Sequence, residues 1–268
     1  MSPCPSLRAG DRASDGLKNV VRTYDRIGAD YKQTRKEDPR LARLIARELR
    51  GARTVVNVGA GTGSYEPADR FVVAVEPSDV MLHQRPRRAA PAVQAIAERL
   101  PFQDHAFDAA MAVLTVHHWS DQQAGLRELN RVAGERIVLL TWDPSHQGFW
   151  LTRDYFPGFL EADRIRLPPI ERLLSAVRDA HVIPVPIPHD CVDGFLGAYW
   201  RRPEAYLHAE VRSGISSFAT CRDLSPLQRL EEHLHTGEWQ RRYGELLEAE
   251  ALDIGYRLVV GRPTSGCP

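Results

Sequence analysis

The sequence predicts an α/β fold: a doubly wound, mostly parallel sheet of seven strands with a helical insertion as its lid. Three observations predict it. Seven short apolar segments occur, at 54–58, 71–75, 93–96, 107–116, 136–142, 181–188 and 254–260, and over the first half of the chain they alternate with helix-periodic stretches, the pattern of a parallel sheet. The first segment, β-branched apart from Asn57, runs straight into Gly59-Ala60-Gly61-Thr62-Gly63, a glycine turn placed where such sheets hold their ligands. The stretch 193–250, by contrast, reads as several short helices.

Taken in order, residues 1–16 are polar, with Pro3, Pro5, Gly10 and Gly16, and are expected to form a loose tail. Apolar residues recur at helical spacing over 17–26 and 39–50, where Leu41, Leu44, Ile45 and Leu49 form one stripe, so 17–50 is expected to be a helical cap. Gly51 stops its second helix and opens a Rossmann-like core over 51–142. In that core, 71–75 is a buried strand closing on Glu76, with Ser78 placed to cap a helix that runs to Gln84. The segment 93–96 is a weaker strand. The run 107–116 is apolar except Asp108 and Thr115, which suits a central strand covered on both faces. A helix over 121–133 and a fifth strand follow. The region 143–192 then holds five aromatics, a helix over 169–180 and a strand whose prolines at 184, 186 and 188 place it near a sheet edge. Residues 251–268 supply the last strand and a tail.

The charge balance narrows the function. Thirty-five basic and 35 acidic residues cancel, so the global footprint of a nucleic-acid or anionic-membrane binder is missing. Cys4, Cys191, Cys221 and Cys267 are scattered without a C-x-x-C pair, which argues against a metal site and for reduced thiols in the cytoplasm. There is no 18-residue apolar stretch and no signal-peptide pattern, so neither a membrane span nor export is expected. The expected partner is a small-molecule substrate of a monomer or homodimer.

The glycine turn departs from the dinucleotide fingerprint G-x-G-x-x-G at Ser64, and its meaning comes from its neighbours. Glu76 stands at the end of the next strand, where a carboxylate can accept hydrogen bonds from both hydroxyls of a ribose across the crevice. A further turn at 97–102 and the exit His117-His118-Trp119 after the fourth strand lie at the same end of the sheet.

With these residues in place, the chain resembles the class I S-adenosylmethionine-dependent methyltransferases, within them the bacterial small-molecule and natural-product enzymes. The resemblance runs from about Tyr24 to Trp142 and rests on four collinear segments: Val55-Val56-Asn57-Val58-Gly59-Ala60-Gly61-Thr62-Gly63, Ala74-Val75-Glu76-Pro77-Ser78, Ala97-Glu98-Arg99-Leu100-Pro101-Phe102, and Phe107-Asp108 to His117-His118-Trp119. It implies S-adenosylmethionine as cofactor and S-adenosylhomocysteine as product. By the same analogy Gly59 and Gly61 lie against the methionine part, Glu76 holds the ribose, and Met81, Ala97 and Glu98 border the adenine. Asn57, Ala60, Gly63, Pro77 and Leu114 complete the expected cofactor site, and Arg35 can pair with the cofactor's carboxylate. Two departures stand out: Asn57 where most such enzymes have aspartate, and Ile96 where an acid often meets the adenine amino group. Leu114-Thr115 replaces the Asn-Pro-Pro-Tyr tetrapeptide usual for methylation of nucleobase or glutamine amides.

Methyl transfer from a sulfonium is an in-line displacement governed by positioning, and a base is useful when the acceptor must lose a proton. His117, His118 and the phenol of Tyr24 are the candidates. Tyr31, Trp119, Phe149 and Tyr155 are expected against an apolar, ring-shaped substrate, and the resemblance implies a ring carbon of an indole-type natural product as one target. Asp190 or Asp193 can orient a substrate amine, with a helix cap as the other role for Asp193, and Cys191 is expected buried rather than nucleophilic. Two rivals remain open on the sequence: a nicotinamide-dependent oxidoreductase, and a non-catalytic module that keeps the cofactor fold.

Overall fold

The computed structural model describes residues 35–264. The expected tail, the helix over 17–26, and Tyr24 and Tyr31 lie outside the described residues.

The first described helix, α1 (Pro39–Glu48), starts where Asp38 accepts a hydrogen bond from the Arg40 amide at 2.9 Å with Pro39 just inside, and it buries Leu41 and Ile45. The chain then enters β1 (Thr54–Val58) and β2 (Phe71–Val75). Ser78 caps α2 (Asp79–His83) by accepting from the Met81 amide, and β3 (Ala92–Val93) follows. Next come β4 (Phe107–Val113), α3 (Gln122–Val132), capped by Asp121, and β5 (Ala133–Trp142). Beyond these lie α4 (Pro157–Arg166), α5 (Ile170–Ser175), β6 (Arg178–Pro184) and β7 (Ile187–Pro188). The short helices α6 (Ala209–Ser213), α7 (Ser216–Ala219), α8 (Pro226–His235) and α9 (Glu238–Tyr243) lead to β8 (Ala251–Leu252) and β9 (Tyr256–Arg262).

Seven strands form one sheet in the order β3-β2-β1-β4-β5-β9-β6, in which β9 runs antiparallel to both its neighbours and the other pairs are parallel. Alternate residues serve opposite faces. Val55, Ala109, Met111 and Val138 join α1 and the 149–243 region in one apolar cluster, while Val56, Ala110, Ala112 and Ile137 join α3 and α5 in another. Both faces are therefore buried, which explains the near-continuous apolar reading of β1 and β4.

The boundaries shift for local reasons. The third strand keeps only Ala92–Val93. The fourth stops at Val113 because Leu114 turns into the left-handed region, φ 52°. The expected helix over 169–180 ends at Ser175, and Arg178 begins a strand whose register shifts before His181, beside Asp179 at φ 50°. The proline-bearing strand divides. β6 forms the sheet edge, as its prolines predict, and Ile187–Pro188 pairs instead with Ala251–Leu252 in a two-stranded ribbon.

The aromatics after β5 chiefly build the outer part of the cluster that includes α1. Trp150 meets Tyr155, Tyr206, Trp239 and Tyr243 at ring-centre distances of 5.4 to 5.8 Å, and its Nε1 donates to the Trp200 carbonyl at 2.8 Å. Among the described residues no helix is long and apolar enough to cross a membrane, and no group of three or more metal-ligating side chains occurs.

Candidate active site

At the carboxyl end of β1 the chain makes the glycine turn. Gly59 has φ 73° and donates to the Val75 carbonyl at 2.8 Å; a Cβ there would lie 2.0 Å from Thr115 Oγ1, so only glycine lets β1 and the β4 exit approach this closely. Gly61, φ 52°, is different. A Cβ on it would meet nothing within 4 Å and would stand in open space. Gly63 faces Ala89, Arg85 and Glu66 and does not line the crevice; it is a turn glycine, φ 96°, which corrects its assignment to the ligand wall.

Glu76, 7% exposed, accepts from the Gly61 amide at 2.8 Å through one oxygen and from the Ser78 amide at 3.0 Å through the other. Burial pushes its carboxyl up, while the Ser78 and Gly61 amides and the Arg85 charge pull it down. Two of the four lone-pair directions are thus committed, which leaves capacity for a vicinal diol. Asn57 Nδ2 donates to Glu66 Oε1 at 3.3 Å, and Glu66 is itself held by Arg85 Nη2 at 2.8 and 2.9 Å. Aspartate at 57 would set two buried carboxylates against each other, so the amide answers to Glu66. Its Oδ1 is buried without a partner at the crevice wall.

The crevice holds about 1010 Å³ of empty space counted out to its open mouth. Ala60, Pro77, Met81, Ala97, Glu98 and Leu114 line it as expected, and Ile96 keeps that end apolar. The Glu98 carboxylate is turned away: Oε1 accepts from Ser120 Oγ at 2.8 Å and the Asp121 amide at 3.0 Å, tying this loop to the start of α3. Trp119 borders this crevice rather than the neighbouring cavity, because its ring packs over Gly125, where a Cβ would lie 2.3 Å from the indole.

At the opposite end stands a cluster the sequence did not reveal. Asp193, 1% exposed, accepts from Arg35 Nε at 2.6 Å and from the Tyr65 hydroxyl at 2.7 Å; it is neither a helix cap nor a free substrate ligand. Arg35 still lines the crevice, with its guanidinium on Asp193. Tyr65 has φ 64°, so Tyr65 and Leu114 are two non-glycine residues held left-handed at the crevice wall, a local strain that functional sites retain. Asp190 is on the surface, paired with Arg40 at 2.6 Å and outside both cavities, which removes it from the substrate site.

A second cavity of about 790 Å³ adjoins the crevice and shares Arg35, Leu114 and His118 with it. Phe149 lines it, together with the unforeseen rings of Trp142, Phe195 and Tyr256. Tyr155 does not. Its ring belongs to the Trp150 core, its hydroxyl lies 2.8 Å from His233 Nδ1, and it borders a third cavity away from the sheet. His117 and His118 form a 3-10 turn after β4 with ring centres 3.8 Å apart; His117 faces the second cavity and His118 faces both. Burial, then the Arg166 and Arg35 charges, hold His117 down at about 4, and burial and the neighbouring His117 hold His118 well below its ordinary range. Both rings are neutral at neutral pH. Asp163 and Arg166 complete this cavity, and burial pushes the Asp163 carboxyl up to about 6.

Trp142 was the legible omission, since it ends the fifth strand at the ligand edge. Asp163, Phe195 and Tyr256 carried no comparable signal.

These features fit the groups of S-adenosylmethionine: a buried carboxylate with spare acceptor capacity, an orphaned amide oxygen, and a glycine facing open space. The sequence profile of a family described as "Methyltransferase domain" matches residues 56–136. The demethylmenaquinone methyltransferase of Mycolicibacterium gilvum is 30% identical over 169 residues, 61% of this chain and 72% of the relative. The uncharacterized Escherichia coli protein YafE is 43% identical over 63 residues, 22% of this chain and 30% of its own length. A crystal structure from Anabaena variabilis, described as a methyltransferase from an antibiotic biosynthesis pathway, is 38% identical over 85% of this chain and 99% of its own, with a TM-score of 0.78.

Proposed function

Since this chain belongs to the class I S-adenosylmethionine-dependent small-molecule methyltransferases, we propose that its methyl acceptor is a small aromatic molecule, an indole-type natural product methylated on a ring carbon being the finer reading. The observation that carries this is the second cavity, where four rings surround a space joined to the cofactor crevice through Arg35, Leu114 and His118.

When bound, S-adenosylmethionine supplies an electrophilic methyl group on a sulfonium. The residues of this chain divide the remaining work. Glu76, held in place by the Gly61 amide, would accept from the ribose hydroxyls, Asn57 Oδ1 would accept a donor, and Met81, Ala97 and Ile96 would enclose the adenine. Arg35, positioned by Asp193, serves the methionine end. Leu114 and His118 stand at the seam between the cavities, so the acceptor atom comes to rest there. His118, neutral at physiological pH, is placed to accept the acceptor's proton through a ring nitrogen, and burial disfavours the charged ring, so the proton is readily passed on.

Incubating the protein with S-adenosylmethionine and a panel of aromatic metabolites, with products read by mass, tests this reading. Transfer to aromatic members is expected. His118→Ala should lower kcat by about 100-fold while S-adenosylhomocysteine affinity holds; full activity in both His117→Ala and His118→Ala would remove the histidines from the chemistry.

A further inference from the structure

We propose that Asp163 is the acceptor-recognising residue, and that the acceptor carries a nitrogen–hydrogen donor, an amine or a ring N–H, which this carboxylate accepts. The proposal rests on the second cavity being the acceptor site.

The buried acids elsewhere are engaged. Asp38 is held by Arg40, Glu66 by Arg85, Glu76 by two backbone amides, and Asp193 by Arg35 and Tyr65. Asp163 differs. It is half-buried on α4, it is the only acid lining the second cavity among the described residues, and its carboxylate has no hydrogen-bond or ion-pair partner among them. Arg166, one turn on, influences it only through space and forms no ion pair with it. Leaving a carboxylate unpaired among aromatic rings is unfavourable, and groups so placed cluster at sites of function.

Complementarity then selects the ligand. The other titratable and charged groups around the cavity are Arg166 on α4, His117 and His118 from the β4 exit, the Tyr256 phenol of β9, whose oxygen accepts from the Gly197 amide at 3.3 Å, and Arg35, whose guanidinium is on Asp193. None of these is an acceptor of matched charge for a nitrogen donor; Asp163 is. The two acids expected from sequence to orient an amine, Asp190 and Asp193, are bound to Arg40 and Arg35. The role passes to α4.

The test measures binding to protein saturated with S-adenosylhomocysteine, using matched probes: indole against N-methylindole, and tryptamine against its carbon isostere. The wild type should prefer the N–H member of a pair. Asp163→Leu should weaken that member by about 10- to 100-fold, leaving N-methylindole unchanged, and the shape-conserving Asp163→Asn should lose a smaller part. Wild-type binding of the N–H probe should fall as pH drops through about 6, where the carboxyl takes up a proton, and this step should vanish in Asp163→Leu. S-adenosylhomocysteine affinity is measured on each protein. Its absence in the wild type overturns the methyltransferase reading; with it intact, equal binding of paired probes, or binding of none, overturns the role of Asp163.

Discussion

Replacing Asn57 with aspartate, the residue usual in the family, should destabilise this protein. The Asn57 amide nitrogen lies 3.3 Å from Glu66 Oε1. Two carboxylates at that separation repel by about 5 kcal/mol at an effective dielectric constant of 20. Protonating the new aspartate instead costs about 4 kcal/mol at pH 7, which caps the penalty, and the Arg85 charge on Glu66 offsets part of it. The expected loss is about 2 to 4 kcal/mol at pH 7. The direction with pH follows from linkage. The variant's aspartate would have a folded-state pKa above its unfolded value of about 3.9, so the unfolded chain sheds its proton first and the penalty grows from pH 4 upward. Urea denaturation of both proteins at pH 7 and pH 4 measures this. A deficit at pH 7 that closes near pH 4 is expected, with Asn57→Leu showing no such closure. Equal stability of Asn57→Asp and wild type at pH 7, or a deficit that ignores pH, would refute the account of why asparagine stands here.

Two further outcomes follow from the same geometry. Gly59→Ala forces a Cβ to within 2.0 Å of Thr115 Oγ1 and should cost about 2 to 5 kcal/mol in thermal denaturation, whereas Gly61→Ala, facing open space, should cost only about 1 to 2 kcal/mol yet weaken S-adenosylhomocysteine binding in calorimetry. Asp163→Asn should stabilise the fold above pH 6 by up to about 3 kcal/mol, because burial lifts this carboxyl from 3.8 to about 6; the gain should disappear below pH 4 in pH-dependent urea titrations.

The cofactor half was legible because its signals are local. The run ending in Gly59, the acid at Glu76 and the exit at His117 each place themselves within a few residues, and the alternation of strand and helix brings those ends together. The far end of the crevice, where it meets the acceptor cavity, depends on distant pairings. Arg35 and Asp193 meet across 158 positions and Tyr65 and Asp193 across 128, and nothing in the local pattern of either partner announces the contact. The aromatics show the same limit. Phe149 lines the second cavity while Trp150, next to it, is the centre of an aromatic cluster, and composition does not distinguish a ring that packs on rings from one that faces space. Asn57 was an anomaly in sequence and becomes ordinary once Glu66 and Arg85 are seen beside it. The family membership also closes the two alternatives that the glycine turn left open, a nicotinamide-dependent oxidoreductase and a non-catalytic module.

S-adenosylmethionine is assigned to the crevice between the glycine turn and Glu76. Calorimetric titration of S-adenosylhomocysteine into wild type and Glu76→Gln tests it most directly. Saturable binding to the wild type at one site is expected, with affinity lower by about 10- to 100-fold in the variant, whose amide loses charge-assisted contacts to the ribose and presents a donor toward the Gly61 amide. Unchanged affinity in Glu76→Gln, or no saturable binding to the wild type at millimolar ligand, would contradict it.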